Sequence, residues 1–151
     1  NSLSSSIPKE VGSLKHINLI DVSENHLSGY ITGTLGECTM LESLYLKGNT
    51  LQGIIPSSLA SLKALQRLDL ARNHLYGSIP DVLQNIYFLE YFIVSFNMLE
   101  GKVPIEGFFR NARGFVLTGN SNLCGGIFKL HLLPCLLRDS AKHGKCTDRF
   151  K

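Results

Sequence analysis

The chain has 151 residues, of which 44% are hydrophobic and 18% are charged, and its formal net charge is +3 at pH 7. This composition excludes a disordered chain, and the length suits one domain with a sizeable core. The positive excess lies in residues 138–151, because residues 1–137 carry equal numbers of acidic and basic side chains. A neutral body argues against nucleic acid as a partner, and no apolar run reaches the ~18 residues of a membrane span.

A repeat of 24 residues is under way from the first residue. An asparagine is followed two residues later by leucine and then by an Ile-Pro or Val-Pro pair, with glycine between them at positions 29, 53, 77 and 101. The asparagines are Asn1, Asn25, Asn49, Asn73 and Asn97. The second copy departs from the pattern, with Ile31-Thr32 in place of Ile-Pro. Because the pattern begins mid-repeat, we expect a fragment whose N-terminal part is missing.

Before each asparagine comes an apolar L-x-x-L-x-L frame. Its members are Ile17, Ile20, Val22, Leu41, Leu44, Leu46, Leu65, Leu68, Leu70, Leu89, Phe92 and Val94. The alternation at the end of the frame predicts a short strand. Stacked copies would pair as a parallel sheet on a concave face, with the Ile-Pro step starting a 3₁₀ or helical turn on the convex side. The pattern therefore predicts an α/β solenoid whose core becomes continuous only by stacking.

The asparagines have an expected structural role. An inward amide supplies both a donor and an acceptor to backbone groups that would otherwise be buried without partners. Stacking predicts an asparagine ladder made of Asn25, Asn49, Asn73 and Asn97. The glycine that follows each asparagine permits a second tight bend.

The segment N-x-L-x-G-x-I-P resembles the plant-type leucine-rich repeat. That class is found in plant receptor-like kinases, receptor-like proteins and polygalacturonase-inhibiting proteins. The C-terminal part reads M-L-E-G-K-V-P-I-E-G-F-F-R-N-A (98–112), G-F-V-L-T-G-N-S-N-L-C-G-G-I (114–127) and L-H-L-L-P-C (130–135). It is similar to the end of the ectodomain in receptor-like kinase subfamily XII, which includes the plant receptor for bacterial elongation factor.

The resemblance implies how the chain is organised. Residues 1–104 would be about five repeats with the first truncated, 105–137 a C-terminal cap, and 138–151 a basic juxtamembrane tail. It also implies an extracellular protein without a cofactor that binds a peptide or protein ligand in pathogen or peptide perception and contacts a leucine-rich-repeat co-receptor kinase. The alternative is a secreted or kinase-less protein, such as a receptor-like protein or a polygalacturonase inhibitor.

The four cysteines allow three full pairings. The resemblance implies that Cys124 and Cys135 are the paired cysteines of the cap. Cys38 occupies a leucine-type position roughly 15–20 Å from the cap at ~4.8 Å per coil, whereas a disulfide needs Cα atoms within about 7 Å. We therefore expect Cys38 to be a buried free thiol and Cys146 to be unpaired in the tail.

Outward positions of the predicted strands are the candidates for binding. The six that stand out are Tyr45, Lys47, Arg67, Arg72, Tyr91 and Ile93. Tyrosine and arginine dominate interface hot spots, so this mixture favours a peptide or protein partner over an ordinary solvated face.

Catalytic and metal sites are not indicated by the sequence. The glycines near 119–126 lack the spacing of a phosphate-binding loop. No Ser/His/Asp set or pair of catalytic carboxylates can be identified in the sequence. We therefore expect no enzyme activity from this chain. His26 and His74 share a repeat position but would stand about 10 Å apart, too far to bind one metal ion.

Overall fold

The computed structural model describes residues 2–111 and 113–135, which form a solenoid of two parallel sheets joined by 3₁₀ turns. The strands are β1 Ser4–Ser5, β2 Leu19–Asp21, β3 His26–Tyr30, β4 Ser43–Tyr45, β5 Thr50–Gly53, β6 Arg67–Asp69, β7 His74–Gly77, β8 Tyr91–Ile93, β9 Met98–Val103, β10 Phe115–Val116 and β11 Asn122–Gly125. The even-numbered strands form sheet I and the odd-numbered strands form sheet II, each in stacking order. The 3₁₀ turns are Lys9–Ser13, Gly33–Glu37, Ser57–Ser61, Asp81–Asn85, Gly107–Arg110 and Phe128–Leu130.

Sheet I is the sheet that the apolar frame predicts. Its strands pair in register, so that Leu44 lies beside Leu68 and Leu68 beside Phe92. These inward side chains are at most 1% exposed. Their alternation with outward residues is the period of two expected of a strand with one buried face.

The asparagines lie at the bend between the two sheets and bond to the coil before them. Asn73 Oδ1 accepts the backbone N–H of Leu51 at 3.0 Å. Its Nδ2 donates to the carbonyl oxygens of Leu46 at 3.0 Å and Leu70 at 3.2 Å. Similar side-chain bonds are made by Asn25, Asn49 and Asn97. The amides thus satisfy backbone groups that would otherwise be buried without a partner.

Sheet II was not predicted from the sequence. The N-x-L-x-G segment, interpreted as a bend, also pairs from coil to coil as β3, β5, β7 and β9. The bend itself is present, because the glycine that follows each leucine has a positive φ, for example +85° at Gly53. The 3₁₀ turn begins one residue later than the Ile-Pro step predicted. Pro56 is extended, with φ −66° and ψ 131°, and the turn starts at Ser57.

The C-terminal end is closed by aromatic rings and a disulfide. Phe92 stacks on Phe115 with ring centroids 5.6 Å apart, and the fully buried Phe109 packs edge-on against Phe92 at 6.0 Å. The predicted Cys124–Cys135 disulfide is confirmed, with a Cα–Cα distance of 4.9 Å. Cys146 and the basic tail 138–151 lie outside the described residues. Within 2–111 and 113–135, no helix is long and apolar enough to cross a membrane.

The N-terminal end is open. An apolar cavity of about 250 Å³ is lined there by residues that include Leu3, Ile7, Val11 and Ile20. Leu3 is 53% exposed, as expected for a core position at the end of a stack.

Candidate binding surface on sheet I

Sheet I positions four of the six predicted residues in two adjacent rows. Strand register places Arg67 beside Tyr91 in one row, and Tyr45 and Ile93 on either side of Asp69 in the next. In-register parallel strands lie about 4.8 Å apart, so each row brings side chains from successive coils into reach of one ligand. The strands β4, β6 and β8 therefore present these residues as one continuous surface, which we call the sheet I patch.

Arg67 and Tyr91 contact each other directly. The Arg67 guanidinium carbon lies 5.5 Å from the centroid of the Tyr91 ring, within the range of a cation–π interaction. Both side chains are exposed, Tyr91 at 45%. The stacking holds the guanidinium over the ring while its N–H groups stay available to a carboxylate or carbonyl acceptor.

Asp69, between Tyr45 and Ile93, serves the backbone. Only 9% of it is exposed, and its Oδ1 accepts the Ala71 N–H at 3.1 Å. Tyr45 and Ile93 are half-buried on either side of it. The second row therefore presents the side chains of Tyr45 and Ile93 on either side of a carboxylate that is hydrogen-bonded to the backbone.

The two remaining predicted residues lie beyond the strands. Lys47 follows β4 and is half-buried. Arg72 has a left-handed backbone with φ 51° and pairs with Glu24, two coils earlier. The prediction treated Arg72 as available to a partner, but the structure places its guanidinium against an internal carboxylate.

Apolar residues that were not singled out extend this face. Leu19 is 54% exposed on β2, Phe96 is 60% exposed after β8, and Val116 on β10 lies beside Ile93. The alternation of inward and outward residues in β2 is enough to identify Leu19 as an outward residue. The position of Val116 on this face follows only from the pairing of β8 with β10. Sheet II carries a second unpredicted group of exposed side chains, Tyr30, Tyr76 and Met98, and Ile54 is exposed directly after β5.

Cys38 is part of the core. It is fully buried and reduced, and its Sγ donates to the Val11 carbonyl oxygen at 3.3 Å. Burial raises the pKa of the Cys38 thiol, which keeps the sulfur in its unreactive neutral form. Among the described residues, no group of three or more His, Cys, Asp or Glu side chains could hold a metal ion.

Comparison with known proteins agrees with this geometry. The leucine rich repeat model matches residues 16–75 and 39–99. The chain belongs to the leucine-rich repeat family. A probable LRR receptor-like serine/threonine-protein kinase of Arabidopsis thaliana is 42% identical over 48 residues, which is 32% of this chain and 5% of the relative. The chain thus spans only a small part of that relative's length.

Solved plant structures share the fold. A chain of the BIR3–SERK2 complex from Arabidopsis thaliana is 32% identical with a TM-score of 0.77, covering 87% of this leucine-rich repeat chain and 68% of that one. The Arabidopsis receptor kinase HAESA ectodomain, in complex with an IDA peptide hormone ligand, is 37% identical with a TM-score of 0.72, covering 82% and 20%. These similarities support a fragment of a plant leucine-rich-repeat receptor-like kinase.

Proposed function

We propose that this chain is an extracellular ligand- and partner-binding part of a plant receptor-like kinase of subfamily XII, acting in pathogen or peptide perception and in contact with a co-receptor kinase. The observation that carries the proposal is the sheet I patch, where Arg67 stacks on Tyr91 beside the half-buried Tyr45 and Ile93. Aromatic and arginine side chains held by rigid strands are the usual anchors of protein interfaces. Lys47 and Arg72 extend the same face.

The structural neighbours support binding as the activity. The HAESA ectodomain structure contains a peptide hormone, and the BIR3–SERK2 structure is a complex. The Cys124–Cys135 disulfide fits an oxidising, extracellular compartment. Sequence from the gene beyond Lys151 tests the receptor-kinase assignment: an apolar run of about 20 residues and a kinase domain would support it, and a stop codon would favour the secreted alternative.

The binding surface is tested by the double variant Arg67→Ala/Tyr91→Ala. Peptides and proteins from a plant extracellular wash are captured on the immobilised wild-type chain and identified by mass spectrometry. Each identified partner is then titrated by calorimetry against the wild type and the double variant. We expect at least tenfold weaker binding, because interface arginines and tyrosines often contribute 2 kcal/mol or more each.

A matched control is Lys63→Ala/Tyr87→Ala. It also removes one cation and one tyrosine, at exposed positions before β6 and β8 rather than on the sheet I patch. Unchanged binding by the Arg67/Tyr91 variant, or an equal loss in the control, would contradict the proposed site.

A further inference from the structure

Sheet I changes in character along the stack. The charged side chains that it carries in the first three coils are Asp21, Glu24, Glu42, Lys47, Arg67, Asp69 and Arg72. Residues 91–96 and 114–119 of the last two coils carry no charged side chain, and Glu90 and Arg113, which precede them, have opposite charges. This end of the sheet therefore complements an uncharged ligand segment rather than an acidic or a basic one.

The outward side chains at this end are apolar. Tyr91, Phe96 and Val116 are exposed, and the half-buried Ile93 lies beside Val116 in the strand register. We call these four residues the apolar end of sheet I. A group of side chains that is rich in aromatic rings and depleted of charge has the composition of the buried centre of a protein interface.

The two rings of the apolar end lie against glycines of the next coil. A Cβ built on Gly114 would lie 3.2 Å from Tyr91 Cδ1, and one built on Gly119 would lie 2.5 Å from Phe96 Cδ1. A larger residue at either position would displace the ring that it meets. Because the backbone of the fifth coil limits the positions of both rings, they lose little conformational freedom when a ligand binds.

Phe96 also has an unfavourable backbone conformation. Its φ is +56°, at a repeat position where Gly48 and Gly119 have φ values of +75° and +82°. Glycine adopts this left-handed region readily, whereas a bulky side chain does so only at a cost. The other two residues at this position, Glu24 and Arg72, pair with each other. Phe96 bears the cost while 60% of it remains exposed, and such strained residues cluster at sites that contact ligands.

We propose that Phe96 is an anchor residue of the binding surface on sheet I, and that the apolar end binds an uncharged apolar segment of a polypeptide partner. The side chains of this segment insert between the rings of Tyr91 and Phe96. They cover Ile93 and Val116, which lie between the two rings along the strands. The inference rests on the proposed binding function and adds the chemistry of the partner at the last two coils.

The first test measures stability in Phe96→Gly and Phe96→Ala. Both substitutions remove the ring, but only glycine also relieves the left-handed backbone. We expect the urea midpoint of Phe96→Gly to lie above that of Phe96→Ala and not below that of the wild type. A midpoint below the wild type in both variants would show that the ring stabilises the fold, and would overturn its role as an anchor for a partner.

The second test measures binding with two uncharged, end-blocked peptides, SGLFLGS and SGQNQGS. Each is titrated into the isotope-labelled chain and followed by NMR. We expect SGLFLGS to shift the amide resonances of residues 91–96 and 114–119, and both Phe96 variants to bind it about fivefold more weakly or worse. The matched control is Tyr87→Ala, which removes an 80% exposed ring outside sheet I and should leave the affinity unchanged.

Three outcomes would overturn the inference. Equal binding of the two peptides would exclude the apolar ligand class, and an equal loss in Tyr87→Ala would exclude the site. Dimerisation of the wild type in sedimentation experiments, abolished by both Phe96 variants, would assign the apolar end to a second copy of the chain instead. The proposed function fails separately, in the Arg67/Tyr91 titration with captured partners.

Discussion

The first coil and the middle coils follow the same sequence pattern, but the apolar side chains of that pattern are buried to different extents. Leu62 is fully buried, whereas Leu14, its equivalent two repeats earlier, is 45% exposed. Ile20 in β2 is half-buried, and its counterpart Leu68 in β6 is 1% exposed. The difference shows that each coil receives its burial from both neighbours, as nearest-neighbour models of repeat proteins require.

Hydrogen bonds show the same contrast. Asn73 Nδ2 donates to carbonyl oxygens of its own coil and also to Leu46 of the preceding coil. Asn25 Nδ2 donates to Val22 and Ser23 of its own coil. The side-chain bonds of Asn73 are buried, whereas those of Asn25 are half-buried and closer to water. We therefore expect asparagine to contribute different amounts to the free energy of unfolding at positions 25 and 73.

The largest expected effect follows from that contrast. Asn73→Ala leaves the buried Leu51 N–H and nearby carbonyl oxygens without their side-chain partner, and each such group costs about 1–3 kcal/mol. We expect a loss of several kcal/mol in the free energy of unfolding, measured by urea titration. Asn25→Ala should cost about 1 kcal/mol, because water can replace the amide at the edge. Equal losses would contradict the difference between the coils.

A second pair of variants tests packing. Leu62→Ala removes a fully buried side chain and should destabilise the chain by about 2–5 kcal/mol. Leu14→Ala makes the same chemical change at the 45% exposed equivalent and should cost below about 1 kcal/mol, since little apolar surface returns to water. Thermal and urea unfolding of the two variants measure both losses of stability. A Leu14→Ala loss as large as that of Leu62→Ala would show that the first coil is as well packed as the middle ones.

The smallest expected effect lies at the contact between the first two coils. Burial raises the pKa of the Cys38 thiol, so the folded state holds this proton more tightly than the unfolded state. The resulting stability is complete below the unfolded pKa of about 8.5. It is lost as the pH rises towards the folded pKa, at up to about 1.4 kcal/mol per pH unit.

Cys38→Ala should remove this part of the pH dependence. Urea titrations from pH 7 to 10 should show the wild type losing stability more steeply than Cys38→Ala above about pH 8.5. Parallel pH profiles of the two proteins would mean that the thiol does not contribute.

The repeat predicted most of the fold because its signal recurs five times in one register. Sheet I and the 3₁₀ turns follow from it directly. Sheet II could not be predicted, since β5 reads T-L-Q-G and β7 reads H-L-Y-G. A single buried leucine between polar residues and a glycine does not resemble a strand until several copies stack. Asn120 extends the asparagine ladder with Oδ1 accepting the Leu99 N–H at 3.0 Å, but its 23-residue spacing from Asn97 concealed it.

The candidate site was predictable only in part. Alternation identified Arg67 and Tyr91 as outward residues, and strand register then explains their contact. The Glu24–Arg72 pair could not be predicted from the sequence, because the two residues are 48 positions apart and meet only where Gly48 leaves room. Such a contact depends on the superposition of three coils rather than on any local pattern.

The asparagine ladder gives the stack a direction. The leucine N–H of each coil is satisfied by the asparagine of the coil that follows it, as Leu51 is by Asn73 and Leu99 by Asn120. Removing coils from the C-terminal side would therefore remove the asparagine that accepts the leucine N–H of the new last coil, whereas removing coils from the N-terminal side would leave these leucine–asparagine bonds intact in the remaining coils. The last coil ends this dependence internally, because Leu123 N–H donates to the Asn120 carbonyl oxygen at 3.2 Å. The leucine–asparagine bonds therefore give the two ends of the stack different requirements, and the last coil meets its own with a bond inside the coil.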